Sequence, residues 1–201
     1  DSVIANELAR LSMTDRERLF CEINGVSDKI QETPEMIEES LRLLQQEIAT
    51  IHPKHAYQQA LDMNPAFVQD AKFLLMFFRA DRIDHVSAAH KLVKFFEFKL
   101  EIFGTSLLTT NITQEHLDDQ DLEALYDGMV MDLPFRDRAG RLVMFMLAQP
   151  LTIPVRAILR KAFYLMMSLL DDEETQKNGV VVVSYVVGQP ITWQRMGERR
   201  E

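Results

Sequence analysis

Between Gln114 and Phe135 the chain carries Glu115, Asp118, Asp119, Asp121, Glu123, Asp127 and Asp132, with no Lys or Arg among them. Carboxylates in this number could hold a divalent cation. A calcium loop, however, needs alternating Asp/Asn positions around a central Gly and a closing Glu, and the stretch lacks that order. It reads instead as a solvated acidic face. His52 and His55 are three positions apart, and His85 and His90 five apart. Neither pair has the i, i+4 spacing of a zinc helix, and no Cys set supports them. Cys21 is the only cysteine, so it reads as a half-buried helix residue and no internal disulfide can form. Ser184 stands inside a Val-rich run without a Gly-x-Ser-x-Gly elbow. Gly188-Gln189-Pro190 follows that run but forms neither a dinucleotide nor a phosphate loop. No nucleophile or general base is nominated, so an α/β enzyme on this chain would work by catalysis that the sequence does not show. The chain is expected not to be an enzyme, with no cofactor and no metal.

The 201 residues are 47% hydrophobic and 26% charged, the balance of a globular domain or two. A net charge of -9 argues against nucleic acid as a partner. No apolar run reaches the roughly 18 residues of a membrane span. One cysteine fits a reducing compartment, and the first residues carry no leader-like apolar segment. A cytoplasmic location is expected.

Most of the chain reads as helix. Thr14-Asp15-Arg16-Glu17 has capping-box form, and Asn24-Gly25 closes that segment. Thr33-Pro34 opens the next helix, with Ile37, Leu41, Leu44 and Ile48 on one face. His52-Pro53 ends it. Asn64-Pro65 starts a helix whose buried stripe is Phe67, Ala71, Leu74, Leu75 and Phe78. Asp84 caps a helix over Val86–Phe103, closed by Gly104. A short amphipathic helix around Leu122, Leu125 and Tyr126 lies within the acidic stretch. Asp137 to Arg141 is a turn. Leu142–Leu147 is a strand, and Val155 to about Gln176 a long helix. That helix leaves Asp171-Asp172-Glu173-Glu174 at its C-terminal end, where the dipole disfavours anions. Asn178-Gly179 then enters the run Val180 to Val187, which is apolar on both faces and reads as a central strand. Strand, helix, strand is a βαβ crossover. With one other strand to pair with, the Val-rich run is expected to leave a long edge open and to drive self-association.

Phe73-Leu74-Leu75-Met76-Phe77-Phe78-Arg79-Ala80, the Ile83-Asp84 corner, and Phe95-Phe96-Glu97-Phe98-Lys99 resemble the N-terminal helical segment of CRAL-TRIO lipid-binding proteins. Asp137-Arg138-Ala139-Gly140-Arg141-Leu142-Val143 is similar to that family's entry into its first strand. Glu174-Thr175-Gln176-Lys177-Asn178-Gly179-Val180 is similar to its entry into the second. The likeness spans about residues 57–190 and is nearest the branch of the alpha-tocopherol transfer protein and cellular retinaldehyde-binding protein.

The resemblance implies an α/β, helix-rich fold. An N-terminal helical extension (1–50) and a CRAL-TRIO N-terminal helical segment (51–113) would precede a partial lipid-binding α/β domain (114–201) with a mostly parallel sheet. It implies non-enzymatic binding and intracellular transfer of a small hydrophobic lipid, tocopherol-, retinoid- or phospholipid-like, with transient contact to membrane surfaces. The implied pocket wall is Phe145, Leu159, Ala162, Phe163, Met166, Val180 and Val182. Three departures stand out. Asp81 replaces an Arg that in some members helps hold a phosphoinositide, so binding of phosphatidylinositol lipids is expected to be weak or absent, with Arg79 and Arg82 the remaining bases. Tyr185 stands where the second strand usually carries Asp. The chain ends soon after that strand, where the family continues, which implies a C-terminally truncated pocket. The alternative is a divergent copy acting as a protein-interaction module.

Overall fold

The computed structural model describes residues 9–24, 32–80, 84–148 and 153–186. The fold is helix-rich with a small mixed sheet. Helices α1 (Met13–Asn24) and α2 (Pro34–Thr50) come first. The cap of α1 is Ser12 rather than Thr14. Its Oγ accepts from the Asp15 N–H at 3.1 Å, and its hydroxyl donates to Asp15 Oδ2 at 2.6 Å. In α2 the Thr33 cap is as expected: its side chain accepts from the Met36 N–H, and Pro34 occupies the first turn.

α3 (His55–Met63) follows a cis His52–Pro53 peptide. The helix expected from Pro65 is two. α4 (Pro65–Val68) is capped by Asn64, and α5 (Ala71–Ala80) restarts after Asp70, whose Oδ1 accepts from the Phe73 N–H at 2.8 Å. A second capping side chain so close to the first makes a corner possible where apolar spacing alone suggests continuity. Asp84 caps α6 (His85–Phe103), and Gly104 closes it at φ 76°, a conformation that only Gly adopts without cost. α7 (Asp119–Tyr126) is capped by Asp118.

Three strands form one sheet in the order β1-β2-β3. β1 (Val130–Arg136) is a strand that the acid-rich reading of Gln114–Phe135 passes over. Pro134 and the charges Asp132 and Arg136 suppress its β signal. It pairs antiparallel with β2 (Leu142–Ala148) across the Asp137–Arg141 turn. Asp137 Oδ1 accepts from the Ala139 and Arg141 N–H groups, both at 2.9 Å. β3 (Val180–Val186) pairs parallel with β2, from Leu142↔Val180 to Ala148↔Val186. The crossover is therefore present. The central strand among the described residues is β2, and the Val-rich strand lies at the edge.

The crossover is also two helices, α8 (Val155–Leu170) and α9 (Glu173–Asn178). Asp172 is the α9 cap, accepting from the Thr175 N–H at 3.0 Å, and Glu173 and Glu174 lie in its first turn. The acids expected to oppose a helix C-terminus instead favour a helix N-terminus. The end at Gly179 (φ 86°) is where Asn178-Gly179 places it.

The core is helical. One cluster joins Leu44 and Ile48 of α2, Tyr57 of α3, Leu74 and Phe78 of α5, and Leu92 and Phe96 of α6. A second joins Ile102, Phe103, Ile112, Leu117 and Phe163. Each fully buried Leu or Phe contributes roughly 1.5–3 kcal/mol. Of the sheet, Val143 and Met144 are buried, one on each face.

Candidate ligand-binding face

Helix α8 is inside out. Its buried residues include Arg160 and Lys161 beside Ala157 and Phe163. Its exposed residues include Val155, Leu159, Ala162 and Met166. Those positions recur at helical spacing and make one stripe. Charged side chains normally point outward, so specific partners must hold the cations in.

Those partners are the acids read above as solvated. Asp121 is 1% exposed. Arg160 Nη1 lies 2.9 Å from Asp121 Oδ2 and 3.0 Å from Asp118 Oδ2, and Nη2 donates to the His116 carbonyl at 2.7 Å. The guanidinium also sits 4.8 Å above the Phe103 ring, a favourable cation–π position. Lys161 Nζ pairs with Asp127 Oδ1 at 2.7 Å. Hydrogen bonding from the Asp121 backbone N–H, with the Arg160 charge, holds the Asp118 carboxyl below the usual range. So α7 and its flanks act as an anionic seat for α8. A buried pair of this kind contributes little net stability but fixes orientation, because breaking it strands a charge. Its consequence here is rotational: with Arg160 and Lys161 turned in, the stripe is turned out.

The residues expected to line a pocket divide into separate groups. Leu159 (38% exposed), Ala162 and Met166 (41%) share the α8 stripe. Phe163 is buried, with its ring 5.3 Å from Phe95 and 5.2 Å from Phe103, so it belongs to the helical core. In the sheet, Val180 and Val182 register with Leu142 and Met144, whereas Phe145 registers with Val183. Side chains alternate along a strand, which sets Phe145 on the face opposite Val180 and Val182. One ligand cannot touch both sets through the sheet. Val182 is 52% exposed, and Val180 and Phe145 are half-buried.

Concave regions among the described residues include one of about 520 Å³ at Thr113, Gln114, Glu115 and Leu122 and one of about 470 Å³ at His52, Pro53, Lys54, His55 and Gln58. Neither contains an expected wall residue. Among the described residues no group of three or more His, Cys, Asp or Glu is arranged to hold a metal ion, and no helix is long and apolar enough to cross a membrane.

Arg79 was one of two bases left for a phosphoinositide. It is already occupied. Its Nε and Nη2 donate to the two Glu32 oxygens at 2.7 and 2.6 Å, Nη1 donates to Gln176 Oε1 at 2.6 Å, and Nη2 reaches Glu173 at 3.1 Å. Asp81 and Arg82 lie outside the described residues, as do Gly188–Pro190. The seat for α8 and the Arg79 hub were not found by sequence reasoning. The available signal was the absence of bases in 114–135 set against Arg156, Arg160 and Lys161 on a mainly apolar helix. No family model and no curated protein matches this chain.

Proposed function

We propose that this chain is a CRAL-TRIO-like module that binds a small hydrophobic molecule or lipid without covalent chemistry and passes it between membrane surfaces. The observation that carries this reading is the inverted α8. A helix that spends two buried ion pairs to turn Val155, Leu159, Ala162 and Met166 outward presents a wall suited to an apolar occupant. Burying such side chains contributes roughly 1.5–3 kcal/mol each, enough for a few of them to hold a lipid. The order of elements also supports it: helices, a hairpin, then a parallel crossover into a Val-rich strand. Phosphoinositide recognition is not included, because Glu32 saturates Arg79.

The test is titration of the purified chain with a fluorescent retinoid or tocopherol analogue. Saturable binding is expected, weakened at least tenfold by Leu159→Glu and by Ala162→Glu, both at exposed positions. Absence of binding, or binding in both variants as tight as in the parent chain, would overturn the proposal. A second reading, a protein-interaction module, is favoured by one feature: the stripe is an open surface rather than the lining of either concave region. Capture of a defined protein partner that Leu159→Glu abolishes, with no lipid bound, would select it.

A further inference from the structure

We propose that Asn178 is a deamidation site that the fold keeps closed, and that its conversion to aspartate or isoaspartate unfastens α9 from the turn between β1 and β2. This modification goes beyond lipid binding and requires no ligand.

The chemistry lies in the dipeptide Asn178-Gly179. The Gly179 amide nitrogen, once hydroxide has taken its proton, attacks Cγ of Asn178. The Cγ–Nδ2 bond breaks, ammonia leaves, and a succinimide remains. Water then opens either of its carbonyls to give aspartate or isoaspartate. Glycine at the second position has no Cβ to crowd the attack. Both reacting groups are engaged in the fold. The Gly179 N–H donates to the Thr175 carbonyl at 2.8 Å, which holds the proton that must leave. Asn178 is half-buried, and its Nδ2 donates to the Gly140 carbonyl at 3.2 Å and to Glu174 Oε1 at 3.3 Å. The turn is shaped to that amide: a Cβ at Gly140 would stand 3.1 Å from Asn178 Nδ2.

The gate is short. α9 has six residues, too few to persist without its neighbours, and the bond from Gly179 to Thr175 closes its last turn, where helices open most readily. Opening that one turn frees nucleophile and amide together. The product does not fit where the amide sat. A carboxylate oxygen would face the Gly140 carbonyl and the Glu174 carboxylate, two acceptors where a donor stood. Arg136 is already committed: Nη1 donates to the Gly140 carbonyl at 2.9 Å, and Nη2 donates to Asp172 at 2.6 Å and to the Thr175 hydroxyl at 3.0 Å. Isoaspartate adds a methylene to the backbone just before Val180, where β3 takes up its register with Leu142.

The experiment follows conversion at Asn178 in the full chain at mildly alkaline pH, by peptide mapping and mass spectrometry. Mapping separates Asn178 from Asn24, whose glycine lies outside the described residues. Conversion in the folded chain should be at least tenfold slower than in the guanidinium-unfolded chain. Asp172→Ala, which removes the α9 cap, should raise the folded rate about fivefold. Asn178→Asp stands for one product and Asn178→Ala for loss of the amide without added charge. At neutral pH the Asp variant should have the lower thermal midpoint, and the gap should close in acid, where the carboxyl is protonated and can donate. Failure of the Asp variant alone to fold would be the same result in stronger form. Equal rates in folded and unfolded chains, no conversion in the folded parent and Asp172→Ala chains alike, a rate unmoved by Asp172→Ala, or an Asp variant as stable as the Ala variant would each overturn the proposal.

Discussion

Lys99 is 1% exposed and has no carboxylate partner among the described residues. Its ammonium donates to the Thr110 carbonyl at 2.7 Å and sits 4.8 Å from the Phe67 ring centroid and 5.8 Å from that of Phe95. One acceptor and two ring faces replace only part of the water that burial removes. Burial therefore lowers its pKa to about 8. The sign for stability follows from the charged form being the disfavoured one. Between pH about 8 and the ordinary lysine value the unfolded chain binds more protons, so stability rises with pH across that window. Below pH 8 the cost of burying the charge is fully present. Lys99→Met should keep the shape, flatten the rise between pH 8 and 10, and raise stability at pH 7 by about 1–3 kcal/mol. Urea unfolding at stepped pH measures both. A slope unchanged in the variant would assign the pH dependence to other groups.

Among the elements, α9 shows how one residue sets a boundary and ties two layers together. Asp172 Oδ2 accepts from the Thr175 N–H and from its hydroxyl at 2.6 Å, and it also takes Arg136 Nη2 at 2.6 Å. The Thr175 hydroxyl, followed by that backbone N–H and Arg136, holds the carboxyl below its usual range. Its contribution is thus present above the ordinary carboxylate pKa and is lost as pH falls through the lowered value. Asp172→Ala should lower the thermal midpoint by about 2–4 °C at pH 7 and by little in acid, while Asp172→Asn, still a capable cap, should lose less. Differential scanning calorimetry at two pH values checks this. The same element marks what was legible in the sequence. Caps at Thr33, Asn64 and Asp84, and the stops at Gly104 and Gly179, were readable because each acts within four residues of itself. Asp172 was missed because the acidic run after Leu170 reads as the frayed end of one long helix rather than as the cap of a second. Asp121, Asp127 and Arg79 were unreadable for a different reason. Their partners lie on other elements, Glu32 being 47 positions from Arg79, and no local rule says which acids turn inward. The face-splitting of Phe145 from Val182 needed the strand register, which sequence pattern leaves free by one residue.

At the scale of the whole molecule, two helical clusters meet through few side chains. Phe95 packs against both clusters. Its ring lies 5.4 Å from Phe73 and from Phe77, 5.3 Å from Phe96, and 5.3 Å from Phe163 of α8. Aromatic edges at these distances add to the area they bury. Met167 is the other side chain shared by the clusters among those named for both. Orientation of α8 therefore depends on Phe95 from one side and on the Asp118–Asp121 seat from the other. Phe95→Ala should cost about 3–5 kcal/mol, the range for removing a large aromatic from a core. Its larger consequence should be loss of cooperativity. With the bridge gone, the first cluster retains Phe96, Tyr57 and Leu44, while α8 keeps its ion pairs, Met167 and the Phe163–Phe103 contact. Urea unfolding followed by far-UV circular dichroism, and in parallel by fluorescence of a probe attached at Met166→Cys in a Cys21→Ser background, should give coincident transitions in the parent. In the Phe95→Ala chain the probe transition should come first. Coincident transitions in that variant would mean that the clusters are coupled through the sheet and α7 rather than through this ring.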